Sequence, residues 1–175
     1  MTGYSSIGFD MPRRREAALL APVAEYVRRR GFVLQRPELP FYEYRIDLYG
    51  LSLKAKVTMA VELKLHRWRR ALSQALIYQL CSDYVYIAMP SENLTAVDGS
   101  LLEGHGIGLI SVTPIGRCAT ELMAKRSSEV RNYYRDAYIT LLREERHAKR
   151  KNSATDPPNG KPLRARIYHK DRPAL

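Results

Sequence analysis

Two runs of alternating residues, joined by a short polar break, constrain this chain most. From Phe41 to Leu51, Tyr44, Ile46 and Leu48 fall on one side of an extended backbone, and Glu43, Arg45, Asp47 and Tyr49 on the other. From Val57 to His66, Val61, Leu63 and Leu65 share one side, and Glu62 and Lys64 share the other. Gly50 to Lys56 supplies the turn. A turn centred near Lys54 and Ala55 gives an antiparallel hairpin with Asp47 almost opposite Glu62, and directly opposed residues point to the same face. Two carboxylates about 4 Å apart repel by roughly 1 kcal/mol in water and by about 4 kcal/mol at an effective dielectric of 20. A divalent cation, helped by Lys64, would offset that repulsion. Mg²⁺ takes oxygen ligands and keeps several waters, so one or two carboxylates suffice where a phosphate supplies the rest. Such a metal polarises a phosphoryl oxygen and acidifies a bound water, and Lys64 is placed to orient that water and stabilise developing charge. The parts fit phosphodiester hydrolysis.

The flanking segments suggest the remaining elements. Arg13 to Arg30 has helical periodicity, with Glu16, Leu20, Val23 and Val27 on one face and Gly31 as a stop. Pro22 predicts either a kink or a helix start. Phe32 to Gln35 is a short apolar run broken by Pro37 and Pro40. Arg67 to Leu80 reads as a helix with Leu72, Ala75 and Leu76 as its apolar stripe, and with Arg67, Ala71, Gln74 and Tyr78 on a different face. Asp83 to Met89 and Ile107 to Val112 read as strands, with loop and one helical turn between Pro90 and Gly106. Ala119 to Arg150 reads as mostly helical, with breaks near Ser127 and Ser128. Tyr133, Tyr134 and Tyr138 read as packing residues of that helix rather than as a base-stacking platform. The order is helix, three strands, helix, two strands and helix, an α/β or α+β layered domain.

Charge points to the partner. The formal net charge is +11, and Lys125 to Leu175 holds 14 Lys/Arg against 6 Asp/Glu. That balance favours a polyanion, nucleic acid before anionic membrane. No run approaches the roughly 18 apolar residues of a membrane span, and Met1 to Met11 lacks the pattern of a secretory signal. Cys81 and Cys118 lack metal-ligand spacing and suggest unpaired thiols in a reducing cytoplasm.

Ile46-Asp47, Glu62-Leu63-Lys64 after an apolar strand, and Gln74 with Tyr78 in the following helix resemble the core of the PD-(D/E)XK nuclease superfamily. Gln74 and Tyr78 are similar to the QxxxY element of one of its subgroups. The resemblance covers roughly Glu16 to Met89, with Ile46 where the pattern often has proline. It implies a restriction-endonuclease-like αβββαβ core, a central mixed sheet flanked by helices, with a C-terminal helical extension. It implies Asp47, Glu62 and the backbone carbonyl of Leu63 as metal ligands, with Glu16 as a further candidate, and Lys64 as the residue that handles the water. Gln74 and Tyr78 would border the site, with Arg67, Arg70 and His66 as supporting or phosphate-contacting groups. The expected cofactor is Mg²⁺, with Mn²⁺ as substitute. The expected partner is nucleic acid, DNA favoured, with a homodimer left open and no membrane.

These expectations divide the chain into an N-terminal segment (1–12), a nuclease-like core (13–118), a helical extension (119–150) and a basic tail (151–175) in which Leu163 to Tyr168 has strand character. They predict a metal-dependent nuclease with structure-selective or non-specific cutting. Three rivals stand beside it. One is a catalytically inactive nucleic-acid-binding or interaction protein of the same fold. Another is a basic assembly protein with a structural hairpin. In the third, Asp47, Glu62 and Lys64 form only the solvated face of a hairpin, with ion pairs worth a few tenths of a kcal/mol.

Overall fold

The computed structural model describes residues 16–154. Segment 1–12 and the expected strand at Leu163 to Tyr168 lie outside the described residues. One six-stranded sheet organises the molecule, its strands side by side in chain order. They are β1 (Leu34–Phe41), β2 (Tyr44–Ser52), β3 (Val57–Leu63), β4 (Tyr84–Pro90), β5 (Gly108–Val112) and β6 (Cys118–Leu122). β1, β2 and β3 form an antiparallel meander, β3, β4 and β5 run parallel, and β6 returns antiparallel to β5. The expected mixed sheet flanked by helices is therefore present.

Helices cover both faces. α1 (Ala17–Arg29) lays Leu19, Val23 and Val27 on Leu48, Met59, Val61, Leu63, Tyr86 and Ile110. Pro22 sits inside α1 without ending it, and Gly31, at φ +95°, follows the helix as the stop residue that this left-handed backbone favours. On the other face, α2 (Trp68–Tyr78), α3 (Gly99–Gly104) and α4 (Asn132–Ala154) cover Tyr49, Leu51, Ala60, Val85, Ile87 and Leu109. α2 buries Trp68, Ala71, Leu72, Ala75 and Tyr78. Leu72 and Ala75 of the apolar stripe and Ala71 and Tyr78 of the other are thus buried, whereas Arg67 at the start of the second stripe is exposed.

The sheet departs from the sequence reading at both edges. Pro37 and Pro40 do not break the chain there; they lie within β1, an edge strand, where a missing donor is tolerated. Residues 119–122, expected to be helical, form β6, and the helix begins only at Asn132. Ala, Glu, Leu and Met favour helix locally, but pairing with β5 overrides that preference. The core accordingly extends past residue 118. Ile46 and Leu48 also separate: Leu48 packs under α1, while Ile46 joins Leu39 and Phe41 on the other layer. β2 pairs with β3 only from Leu48 onward, and its first half belongs to a two-stranded ribbon with β1, where twist is stronger.

The hairpin register is the one that the sequence implies. Leu48 faces Val61 and Ser52 faces Val57; one step beyond Leu48 and Val61 stand Asp47 and Glu62. No helix among the described residues is long and apolar enough to cross a membrane.

Candidate functional site

Glu62 is the centre of the site. Its side chain lies on the α2-covered face of β3 and is 1% exposed. The solvated-hairpin reading therefore fails for this residue. Oε1 accepts an ion pair from Lys64 Nζ at 2.7 Å, and Oε2 lies 3.1 Å from the Tyr78 hydroxyl. Asp47 reaches across the register, its Oδ2 accepting from the main-chain N–H of Leu63 at 2.7 Å. N–H and C=O of one strand residue leave on the same side, so the Leu63 carbonyl is directed toward the same edge. Glu16 precedes α1 and reaches Lys64 Nζ at 3.5 Å rather than the two acids. Glu25 instead pairs with Arg28 and Arg29 on the surface.

Acceptors outnumber donors here. Tyr78 has a single hydroxyl proton, yet it stands 2.9 Å from the Arg45 carbonyl and 3.1 Å from Glu62 Oε2. It cannot donate fully to both. The Gln74 amide lies near enough to influence the Tyr78 hydroxyl, but its buried Oε1 accepts no hydrogen bond of sound geometry. The ionisation behaviour follows. Burial, then the Asp47 charge, pushes Glu62 up to about 7 against the pull of Lys64 and Tyr78. Burial likewise raises Asp47, opposed by the Leu63 N–H and Lys64. For Lys64, burial favours the neutral amine, but Glu62, Glu16 and Asp47 outweigh it and hold the ammonium above its ordinary range. A proton on Glu62 would let that carboxyl donate to the Tyr78 oxygen and relieve the surplus; a cation would do the same.

The donor set suits a hard cation only in its two-carboxylate form. Among the described residues no group of three His, Cys, Asp or Glu is placed to hold a metal ion. Asp47, Glu62 and the Leu63 carbonyl offer oxygen ligands alone, which fits a Mg²⁺ that retains waters and takes phosphate oxygens. Both Glu62 oxygens already have partners, so a metal must compete with Lys64 for Oε1.

The remaining predicted residues lie outward. His66, Arg67 and Arg70 are exposed beyond the end of β3, and Arg67 takes a left-handed backbone (φ +55°) as it turns into α2. Arg69 covers the Trp68 ring at 4.5 Å. The Asn93 amide donates to the Leu65 carbonyl at 2.7 Å and ties the loop after β4 to this rim. The structure thus joins Asp47, Glu62, Lys64, Tyr78 and Gln74, links Glu16 through Lys64, and leaves the arginines and His66 exposed beyond the end of β3. Sequence reasoning missed the Arg45 carbonyl, which had no signal, since any residue supplies one. It also missed Asp83, visible only as an acid heading an apolar strand.

No protein-family model matches the chain, and no curated protein matches it. A solved protein of unknown function from Silicibacter pomeroyi is similar in structure, with a TM-score of 0.59 and 22% identity over 86% of this chain and 99% of that one. At that identity the likeness concerns the fold alone, a mixed α/β sheet flanked by helices.

Proposed function

We propose that the chain is a divalent-metal-dependent nuclease that hydrolyses phosphodiester bonds, in DNA by preference, on a restriction-endonuclease-like core of the PD-(D/E)XK type. The observation that carries this reading is the acceptor surplus at the end of β3: a buried Glu62, a neighbouring Asp47 and an unpartnered Gln74 Oε1 beside one lysine. Asp47, Glu62 and the Leu63 carbonyl would hold Mg²⁺ or Mn²⁺, which when bound polarises the phosphoryl oxygen and acidifies water. The chain's own groups do the rest. The Leu63 N–H fixes the Asp47 carboxylate. Tyr78 orients Glu62, and Glu16 and Glu62 hold the Lys64 ammonium where it can aim a water and meet developing charge. Arg67, Arg70 and His66, exposed beyond the end of β3, would meet flanking phosphates. The +11 charge supplies sequence-independent affinity.

The test incubates purified protein with supercoiled plasmid, linear duplex, single strands and RNA in Mg²⁺, Mn²⁺ or EDTA, beside Asp47→Ala and Lys64→Ala. Metal-dependent cutting that both substitutions remove supports the reading; cutting that survives both overturns it. The occupied oxygens of Glu62 favour one rival, a fold-retaining binder. Salt-sensitive DNA binding without cutting at saturating metal would select it.

A further inference from the structure

The two edges of the sheet are unlike. β1 carries two prolines, whereas β6 (Cys118-Ala119-Thr120-Glu121-Leu122) carries none and among the described residues pairs with β5 alone. Its main chain is aimed outward at defined positions. The Thr113 N–H donates to the Arg117 carbonyl at 2.8 Å, so the polar groups of Arg117 face β5. Antiparallel strands alternate in this respect. Ala119, paired with Ser111, therefore also faces inward, and the N–H and C=O of Cys118 and Thr120 face away from the sheet. The irregularity in the β5–β6 ladder falls between Leu109 and Ile110, beyond Thr120, and leaves this stretch regular. The side chains along it are committed too. Thr120 Oγ1 meets the Tyr26 hydroxyl and an Arg30 nitrogen, each at 2.8 Å, on the α1 face, which leaves only its main chain for a partner. Ile110 and Val112 point to α1, so Ser111 lies on the opposite face, and its hydroxyl holds the exposed Glu121 carboxylate there. Arg117 is exposed, and two exposed apolar residues flank the strand, Ile115 at 74% and Met123 at 59%. A cavity of about 410 Å³, lined by Pro22, Glu25, Tyr26 and Arg29 of α1 and by Gly116 to Cys118, leaves room between the helix and the start of the strand.

The sequence of the edge specifies what it meets. An antiparallel strand can pair with a copy of itself about a two-fold axis, each residue of one chain facing its counterpart in the other. Outward main-chain groups meet only where Cys118 and Thr120 oppose each other or themselves, which puts the axis at Cys118, Ala119 or Thr120. An axis at Cys118 sets Glu121 against the partner's Ile115, and one at Thr120 sets Arg117 against the partner's Met123. At Ala119 the matches agree. Cys118 opposes the partner's Thr120, Arg117 opposes the partner's Glu121 as a pair of unlike charges on one face, and Ile115 comes level with the partner's Met123. Ala119 meets itself at the axis, in the kind of pair that brings side chains closest, where a small residue fits. We propose that the chain forms a two-fold dimer through β6 with its axis at Ala119, joining two sheets into one. This does not rest on the nuclease reading. β6 runs antiparallel to its copy, so the two Asp47–Glu62–Lys64 sites open at opposite ends of the joined sheet, each complete, and cutting needs no dimer.

Sedimentation velocity on the full-length protein over a dilution series should show a reversible monomer–dimer equilibrium. Glu121→Lys sets two lysines against two arginines and should weaken association by roughly tenfold or more. Arg117→Glu added to it restores unlike charges and should recover the parent's affinity to within about threefold. Both positions are exposed, which keeps the variants folded, and a melting curve verifies this. In hydrogen exchange the Cys118 and Thr120 amides should be slow in concentrated protein and fast on dilution, while Ala119, bonded to β5, stays slow throughout. A monomer at every concentration, a dimer indifferent to Glu121→Lys, or a double variant no stronger than the single one overturns the proposal. Protection of Cys118 and Thr120 that dilution leaves unchanged overturns it too, since the chain would then cover its own edge.

Discussion

Two acids, Glu62 and Asp83, lie at opposite ends of the β3–β4 ladder, and both are 1% exposed. Their environments are opposite in kind. Asp83 is surrounded by donors. Its Oδ2 accepts from the Thr58 N–H and hydroxyl at 2.9 and 3.0 Å, and its Oδ1 from Arg126 and Arg135 at 2.9 and 3.4 Å. Burial opposes its charge, but Thr58 and the arginines prevail and hold it below its ordinary value. Glu62 has one cation, one shared hydroxyl and another acid beside it, and is pushed up to about 7. An acid that serves the fold is given enough donors to stay ionised. An acid left short of them is poised to take a proton or a metal, which is how active-site carboxylates differ from structural ones.

Breaking the Asp83 end should have the largest effect on stability. Asp83→Ala leaves the buried Thr58 N–H and hydroxyl without their acceptor and removes the ion pair of Arg135, and should cost about 3 kcal/mol in urea unfolding. A loss under about 1 kcal/mol would show the cluster to be ornamental to folding. At the other end, Glu62→Gln should cost little stability while lowering metal-dependent cutting by about 100-fold or more, as loss of a preorganised charged group does. Equal losses of stability in the two variants would erase the contrast.

The pH response sharpens it. Glu62 has a raised pKa in the fold, so its contribution to stability is full below the ordinary carboxylate value and is lost as pH rises toward about 7. Asp83, lowered in the fold, contributes above the ordinary aspartate value, and that contribution is lost as pH falls through its own depressed value. In EDTA, Glu62→Gln should therefore gain about 2 kcal/mol on the parent between pH 5 and pH 8, read from urea midpoints. Asp83→Asn should differ most from the parent above pH 4 and converge with it in acid. The smallest effect belongs to Tyr78→Phe. Losing the hydroxyl should cost about 1 kcal/mol and remove a group that lowers Glu62, so the alkaline rise of cutting should move to higher pH by a fraction of a unit.

The contrast also marks what the sequence made legible. Asp47 opposite Glu62 was readable because a turn within Gly50 to Lys56, centred near Lys54 and Ala55, sets the register that pairs Leu48 with Val61. Helical spacing put Gln74 and Tyr78 on one face of α2, and their place beside the acids was what the resemblance implied. The Asp83 cluster was not readable, because Arg126 and Arg135 lie 43 and 52 residues away and reach it only through the path of the chain after β6. β6 itself is locally helix-favouring and becomes a strand only by pairing. β1 was obscured by its prolines, which mark an edge as readily as a loop. Tyr134 and Tyr138 stand four apart and share the packed face of α4, whereas Tyr133 falls off that stripe and is exposed.

The same prolines bear on self-association. Pro37 and Pro40 each remove a backbone donor from this edge strand, and Glu38 between them is kinked to φ +53°. Arg36, on the same stretch, is drawn into an ion pair with Glu145 of α4. A foreign strand approaching this rim meets a missing donor, a bent backbone and a helix already in place. That side of the sheet is thereby closed to the edge-to-edge stacking by which exposed strands seed aggregates.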